Sequence, residues 1–116
     1  MLQQVLADED QAIHAIAVAG EQVLGVARMH ESAAKQGQVR CVAIATAAQG
    51  KGMGKAIMAY LEEKAVQKGW TEIVLEAREN AVPFYHAIGY SIVEESYLLF
   101  GEIQHYRMKK ALNLTE

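Results

Sequence analysis

An α+β (mixed α/β) fold is predicted by two observations. The apolar pattern switches between strand-like runs and a four-residue helical spacing, and glycine-marked turns sit near both ends while helices interrupt the middle. Strands joined through a helix imply at least one parallel pairing, whereas tight turns imply antiparallel ones, so the sheet should be mixed and mostly antiparallel. The expected order is βββαβαββ. At 116 residues, 52% hydrophobic and 22% charged, the chain suits one domain, 1–116, around one core.

Residues 12–18 (AIHAIAV) and 22–30 (QVLGVARMH) are apolar runs flanking Gly20, which reads as a hairpin turning at 19–21. The first run is apolar on both faces, the pattern of a strand covered on both sides. A polar stretch, 31–37, reads as a loop before a third strand at 39–45, VRCVAIA, rich in β-branched residues. Met53, Ile57, Leu61 and Ala65 then recur every four residues, with Glu62, Glu63, Lys64, Gln67 and Lys68 as the wet face and Gly69 as the stop. A strand at 72–77 follows, then a short helix through Ala81, Phe84 and Ile88 that ends at Gly89. Pro83 falls in that helix's first turns, where it is tolerated. Strands at 91–99 and 103–108, with Gly101 between them, close the pattern.

Eleven Lys+Arg against fourteen Asp+Glu give a net charge of −3 and a pI near 5.8, which argues against nucleic acid as a partner. One cysteine forms no internal disulfide, and no Cys/His group has zinc spacing, so a reduced, metal-free, cytoplasmic setting is expected. Residues 1–10 are polar and acidic rather than signal-like, and no apolar run reaches the roughly 18 residues of a membrane helix.

Gly50, Gly52 and Gly54 cluster between a strand and a helix, where close backbone approach, converging N–H groups and the helix N-terminus together favour a phosphate. A P-loop needs glycine at Gln49 and a hydroxyl at Ala56, and the Rossmann fingerprint needs glycine at Ile57, so both nucleotide motifs fail. No Asp or Glu occurs between Ser32 and Leu61, whereas Lys35, Arg40, Lys51 and Lys55 do, a local excess of cations suited to a polyanion.

What remains, Gln49-x-x-Gly52-x-Gly54 opening an amphipathic helix, resembles the GNAT superfamily of N-acetyltransferases. Two further stretches are similar to that family: Ala81-x-x-Phe84-Tyr85-x-x-x-Gly89-Tyr90, and the last-strand pattern 103–108, so the likeness covers about 11–110. The resemblance implies acetyl-CoA as co-substrate and a small-molecule or peptide amine as acceptor. Its pyrophosphate would lie on Gln49, Gly50, Lys51, Gly52, Met53, Gly54 and Lys55. Backbone groups of Val42 and Ile44 would hold the pantetheine arm and acetyl carbonyl, and Tyr85 would protonate the leaving thiolate. Arg78 stands where relatives often carry Asn or Gln, with Asn80 two residues on, and these are the pantetheine candidates on that strand.

Many relatives place a glutamate base on the strand before the loop, but this strand offers only Arg40 and Cys41 as non-apolar members. Glu76, His105 and His30 are therefore the base candidates, His14 reads as a satisfied core histidine, and His86 should lie on a different helix face from Tyr85. Cys41, flanked by Arg40 and Val42 in an apolar strand, reads as a buried thiol. Acceptor selectivity falls to the loops 31–37 and 96–102. Relatives also carry a first strand and two helices ahead of the hairpin, for which about ten residues leave no room. The bared strand edge and sheet face then predict a two-fold homodimer. The rival function is a non-catalytic acyl-CoA-binding regulatory module.

Overall fold

The computed structural model describes residues 2–6 and 12–112, apart from the side chains of 2–6 and of Cys41. The expected burial of the Cys41 thiol therefore lies outside the described residues. Its strands are β1 (Leu2–Leu6), β2 (Ile13–Ala19), β3 (Gln22–Ala33), β4 (Gln36–Ile44), β5 (Glu72–Arg78), β6 (Ser91–Leu99) and β7 (Ile103–Ala111), with helices α1 (Met53–Gln67) and α2 (Val82–Ala87). They form one sheet ordered β1-β2-β3-β4-β5-β7-β6, in which only β4 and β5 pair in parallel.

The mixed α+β class holds, but the order is ββββαβαββ. β1 pairs antiparallel with β2, from Leu2↔Ala17 to Leu6↔Ile13. Its sequence, LQQVL, has neither clean alternation nor a β-branched run, and its extended form is completed by the ladder it joins. The β2 edge is consequently paired, and the edge argument for a homodimer loses its premise.

The stretch 31–37 is also not a loop. β3 runs to Ala33 and β4 starts at Gln36, leaving a two-residue turn in which Lys35 takes φ 60° and its N–H donates to Glu31 Oε2. Gly37 then lies so close under Trp70 that a Cβ would sit 2.6 Å from the indole Cε3.

The core lies on one side of the sheet. Ile57, Met58, Leu61 and Ala65 of α1 pack on Ile13, Ala15, Ala17, Ala27, Met29, Val39, Ile73, Leu75, Ala77 and Met108, and the strand alanines let the helix approach closely. On the other, outer face of β2, His14, Ile16 and Val18 are half-buried, so the continuous apolar run is covered fully on one face only. Among the described residues no helix covers that outer face. Glu62, expected on the wet face of α1, instead accepts from Tyr90 Oη at 3.0 Å and Lys110 Nζ at 2.9 Å, tying the helix to the turn after α2 and to β7. Gly69, at φ 82°, ends α1 as expected. No helix among the described residues is long and apolar enough to cross a membrane.

Candidate active site

The site begins where the sheet comes apart. β4 and β5 pair only from Gln36↔Glu72 to Val39↔Leu75. Beyond that point β4 stays with β3, through a bulge that sets Cys41 and Val42 against Ala27, and β5 stays with β7. The strands diverge, and the backbone groups of 40–44 and 76–78 that face the gap have no ladder partner across it.

On the core side of the gap, β4 leads through a 3-10 turn (Thr46–Ala48) into the glycine loop. Gly50 and Gly52 take φ 78° and 79°, a left-handed conformation costly for other residues, and nothing lies within 4 Å of the Cβ either would carry. That open cradle faces the N-terminus of α1, whose first turn has no acidic residue and includes Lys55. Gln49 Nε2 donates to the Ile44 carbonyl at 3.2 Å, which clamps the loop to the end of β4. At Gly54 a Cβ would meet Phe84 Cζ at 3.2 Å, so this glycine lets the Phe84 ring wall the site.

The resulting cavity, about 560 Å³, is lined by Val42, Ile44, Gln49, Gly50, Gly52, Met53, Gly54 and Lys55 together with Phe84 and Tyr85. An elongated phosphate ligand fits this chemistry, with backbone donors at one end and apolar walls along its length. Lys51 is exposed and outside the lining, and Asn80 is exposed in the 3-10 turn before α2. Arg78 faces the outer side instead. The basic segment also divides: Lys35 caps the far end of β4, about 30 Å from the loop at roughly 3.3 Å per residue. The 31–37 stretch is remote for the same reason, whereas Ser96 and Tyr97 reach the outer cleft.

That outer cleft, about 670 Å³, is bordered by Gln38, Arg40, Glu76, Ser96, Tyr97 and Arg107. A chamber of about 330 Å³ shares Arg40, Glu76 and Tyr97 with the outer cleft and Val42 and Tyr85 with the glycine-loop cavity, and it brings together Tyr85, Glu76 and His105, with Arg78. Tyr85 borders both the chamber and the glycine-loop cavity. It is 8% exposed, packs edge-on against Phe84 and Tyr90, and burial raises its hydroxyl above the ordinary value of 10.0. It is therefore protonated at neutral pH.

Glu76 Oε2 accepts from Arg107 Nη1 at 2.9 Å, while Oε1 is buried with no hydrogen-bond partner. A carboxylate oxygen so placed calls for a donor. His105 stacks on Tyr97, with centroids 4.2 Å apart, and its Nδ1 lies 3.1 Å from the Ile103 carbonyl. A carbonyl only accepts, so Nδ1 is the donor in this contact. His30 sits beside Arg28, at 3.4 Å, outside these cavities, and His86 is exposed on α2. His14 is not satisfied as expected: its Nε2 is buried without a partner. Among the described residues no group of three His, Cys, Asp or Glu is arranged to hold a metal.

Phe84, Gln38 and Arg107 were not among the expected site residues, whereas Tyr97 falls in the 96–102 stretch expected to face the acceptor. The outer-face set did leave a sequence signal, since Gln38/Arg40, Glu76/Arg78 and His105/Arg107 are polar pairs at period two on three strands.

Comparison with known proteins agrees with this geometry. The family described as Acetyltransferase (GNAT) domain matches residues 1–112. An uncharacterized N-acetyltransferase, YjcF, of Bacillus subtilis (strain 168) is 29% identical over 102 residues, covering 88% of this chain and 72% of its own. Among solved structures, an aminoglycoside 6'-N-acetyltransferase complexed with coenzyme A superposes with a TM-score of 0.82 at 15% identity, over 91% of this chain and 76% of that one. The ribosomal-protein-S18-alanine N-acetyltransferase from Escherichia coli gives 0.82 at 14%, over 94% and 74%. At such identities these likenesses concern the fold.

Proposed function

Because this chain belongs to the GNAT acetyltransferase domain family, an acyltransferase family that works with acetyl-CoA, we propose that it moves the acetyl group directly onto a primary amine that enters from the outer cleft. The observation that carries this reading is the position of Tyr85, which lines both the glycine-loop cavity and the chamber of Glu76 where β4 and β5 part. A co-substrate on one side and an acceptor on the other would meet there with reacting atoms aligned across the gap.

In this reading the loop 49–55 binds the pyrophosphate, and backbone groups of Val42 and Ile44 hold the arm much as a strand partner would. The Gln49 bond to Ile44 leaves that carbonyl one further lone pair. Arg78 and Asn80 contribute to the co-substrate only through backbone, since neither side chain lines its cavity. Glu76 Oε1, the buried oxygen without a donor, receives a proton from the acceptor's ammonium and so frees the nucleophile. Tyr85, kept protonated by burial, gives its proton to the departing thiolate. The second proton, shed by the nitrogen as the amide forms, restores Tyr85, and the one taken by Glu76 would leave to solvent past His105 in the same chamber.

The rival reading, a non-catalytic acyl-CoA-binding module, rests on a core without its first strand and helices, and β1 supplies the strand. Release of free CoA from acetyl-CoA across a panel of amines tests the proposal: tight acetyl-CoA binding with no release in any case would refute it. A cytoplasmic setting belongs to the same reading, on the strength of the single cysteine. A homodimer belongs to this reading as well, through the outer face of β2, which no helix covers among the described residues, and light scattering at micromolar concentration reads it.

A further inference from the structure

The charges around the gap narrow the acceptor. Arg40 lies on the β4 lip, one residue past the last pair with β5, and Arg78 lies on the β5 lip, two residues past Glu76. Both border the chamber that holds Tyr85 and Glu76. Arg107 is engaged by Glu76, but Arg40 and Arg78 are exposed and make no ion pair among the described residues. Glu79, next to Arg78 in the chain, and Glu94, opposite Arg107 in the β6–β7 register, are exposed, line neither the chamber nor the outer cleft, and are likewise unpaired.

A walled site with three guanidinium groups against one carboxylate concentrates anions and repels simple cations. A bare polyamine would bring its charge against that field. An amine with an anionic group a few bonds away meets both demands, because its nitrogen reaches the donor-less Glu76 Oε1 while the guanidinium forks match carboxylate or phosphate oxygens. We propose that the acceptor is a small amine bearing a carboxylate or phosphate, with its nitrogen at Glu76 and its anion held between Arg40 and Arg78. This rests on the transfer reading above for the side from which the acceptor enters.

The test uses matched probes: β-alanine against β-alaninamide, O-phosphoethanolamine against ethanolamine, and spermidine as the cationic extreme. Each is titrated calorimetrically against CoA-saturated protein and assayed for CoA release from acetyl-CoA. In at least one pair the anionic member should bind at least about tenfold more tightly, the size of one charge-assisted hydrogen bond, with the carboxylate and phosphate arms showing which anion fits. Arg40→Gln with Arg78→Gln, both at exposed positions, should abolish that preference. No preference in either pair, spermidine binding best, or a preference that survives the double substitution would overturn the proposal. A binding preference without CoA release from any amine would refute the transfer reading alone and leave this assignment standing.

Discussion

Replacing Gly52 by alanine and by aspartate separates two contributions of the glycine loop. Nothing lies within 4 Å of a Cβ at Gly52, so alanine meets only the left-handed backbone, φ 79°, at a cost of about 1–2 kcal/mol. A chain of 116 residues unfolds with an entropy of roughly 0.24 kcal/mol/K, so Gly52→Ala should lower Tm by about 4–8 °C. Aspartate adds the same strain and a negative charge beside the expected pyrophosphate. At about 6 Å and an effective dielectric of about 40, each phosphate charge then contributes roughly 1.4 kcal/mol of repulsion, or about a hundredfold in Kd for two charges. Differential scanning calorimetry reads the strain, and titration calorimetry with acetyl-CoA reads the charge. If Gly52→Asp bound acetyl-CoA as tightly as Gly52→Ala, the pyrophosphate would not sit on this loop.

Tyr85→Phe removes one hydroxyl and should lower kcat by about 10²-fold or more while leaving acetyl-CoA affinity nearly unchanged, and an unchanged single-turnover rate would reduce Tyr85 to packing. Burial holds the Tyr85 proton above the ordinary range, as burial with Glu62 alongside does for Tyr90. The folded state therefore keeps protons that the unfolded chain loses near pH 10, so stability present below that pH should decline above it, less steeply in Tyr90→Phe. Glu62→Ala strands the Tyr90 hydroxyl and leaves the Lys110 ammonium only the Ile88 carbonyl, and should cost about 1–3 kcal/mol in urea unfolding. Gly37→Ala forces a Cβ against Trp70 and should cost a similar 1–3 kcal/mol, with a shift in emission of the chain's single tryptophan as the direct readout.

Elements built from long patterns were legible in the sequence. The 57/61/65 spacing of α1, the β6–β7 hairpin at Gly101 and the three-glycine loop all stand where periodicity and turn chemistry place them. β1 was not legible, because five residues with two glutamines become a strand only through the ladder offered by β2. The 31–37 stretch misled because its polar residues serve an exposed antiparallel extension, where a lysine fills the left-handed turn position that usually announces itself as glycine or asparagine. In the site, the loop and Tyr85 were visible as local motifs. The outer cleft was not, since Gln38, Glu76, Tyr97 and Arg107 come from four strands and converge only through sheet order.

The four paired positions between β4 and β5 are also the molecule's seam. On one side lie four antiparallel strands, on the other three, and ladder bonds cross between them only along those positions, whose partners are 36 residues apart in the chain. Contacts that distant are entropically late in folding, and the β5–β7 pairs are as distant, so the sequence-local ladders of β1–β4 and of β6–β7 should form first and β5 join both sides last, with α1, which touches both, as the brace. Amides of 40–44 and 76–78 that face the opening then belong to the least protected part of the sheet interior, measurable by hydrogen exchange. A ligand threaded through it would suture the halves, and slowed exchange should appear on both lips at once, including where only one lip is touched.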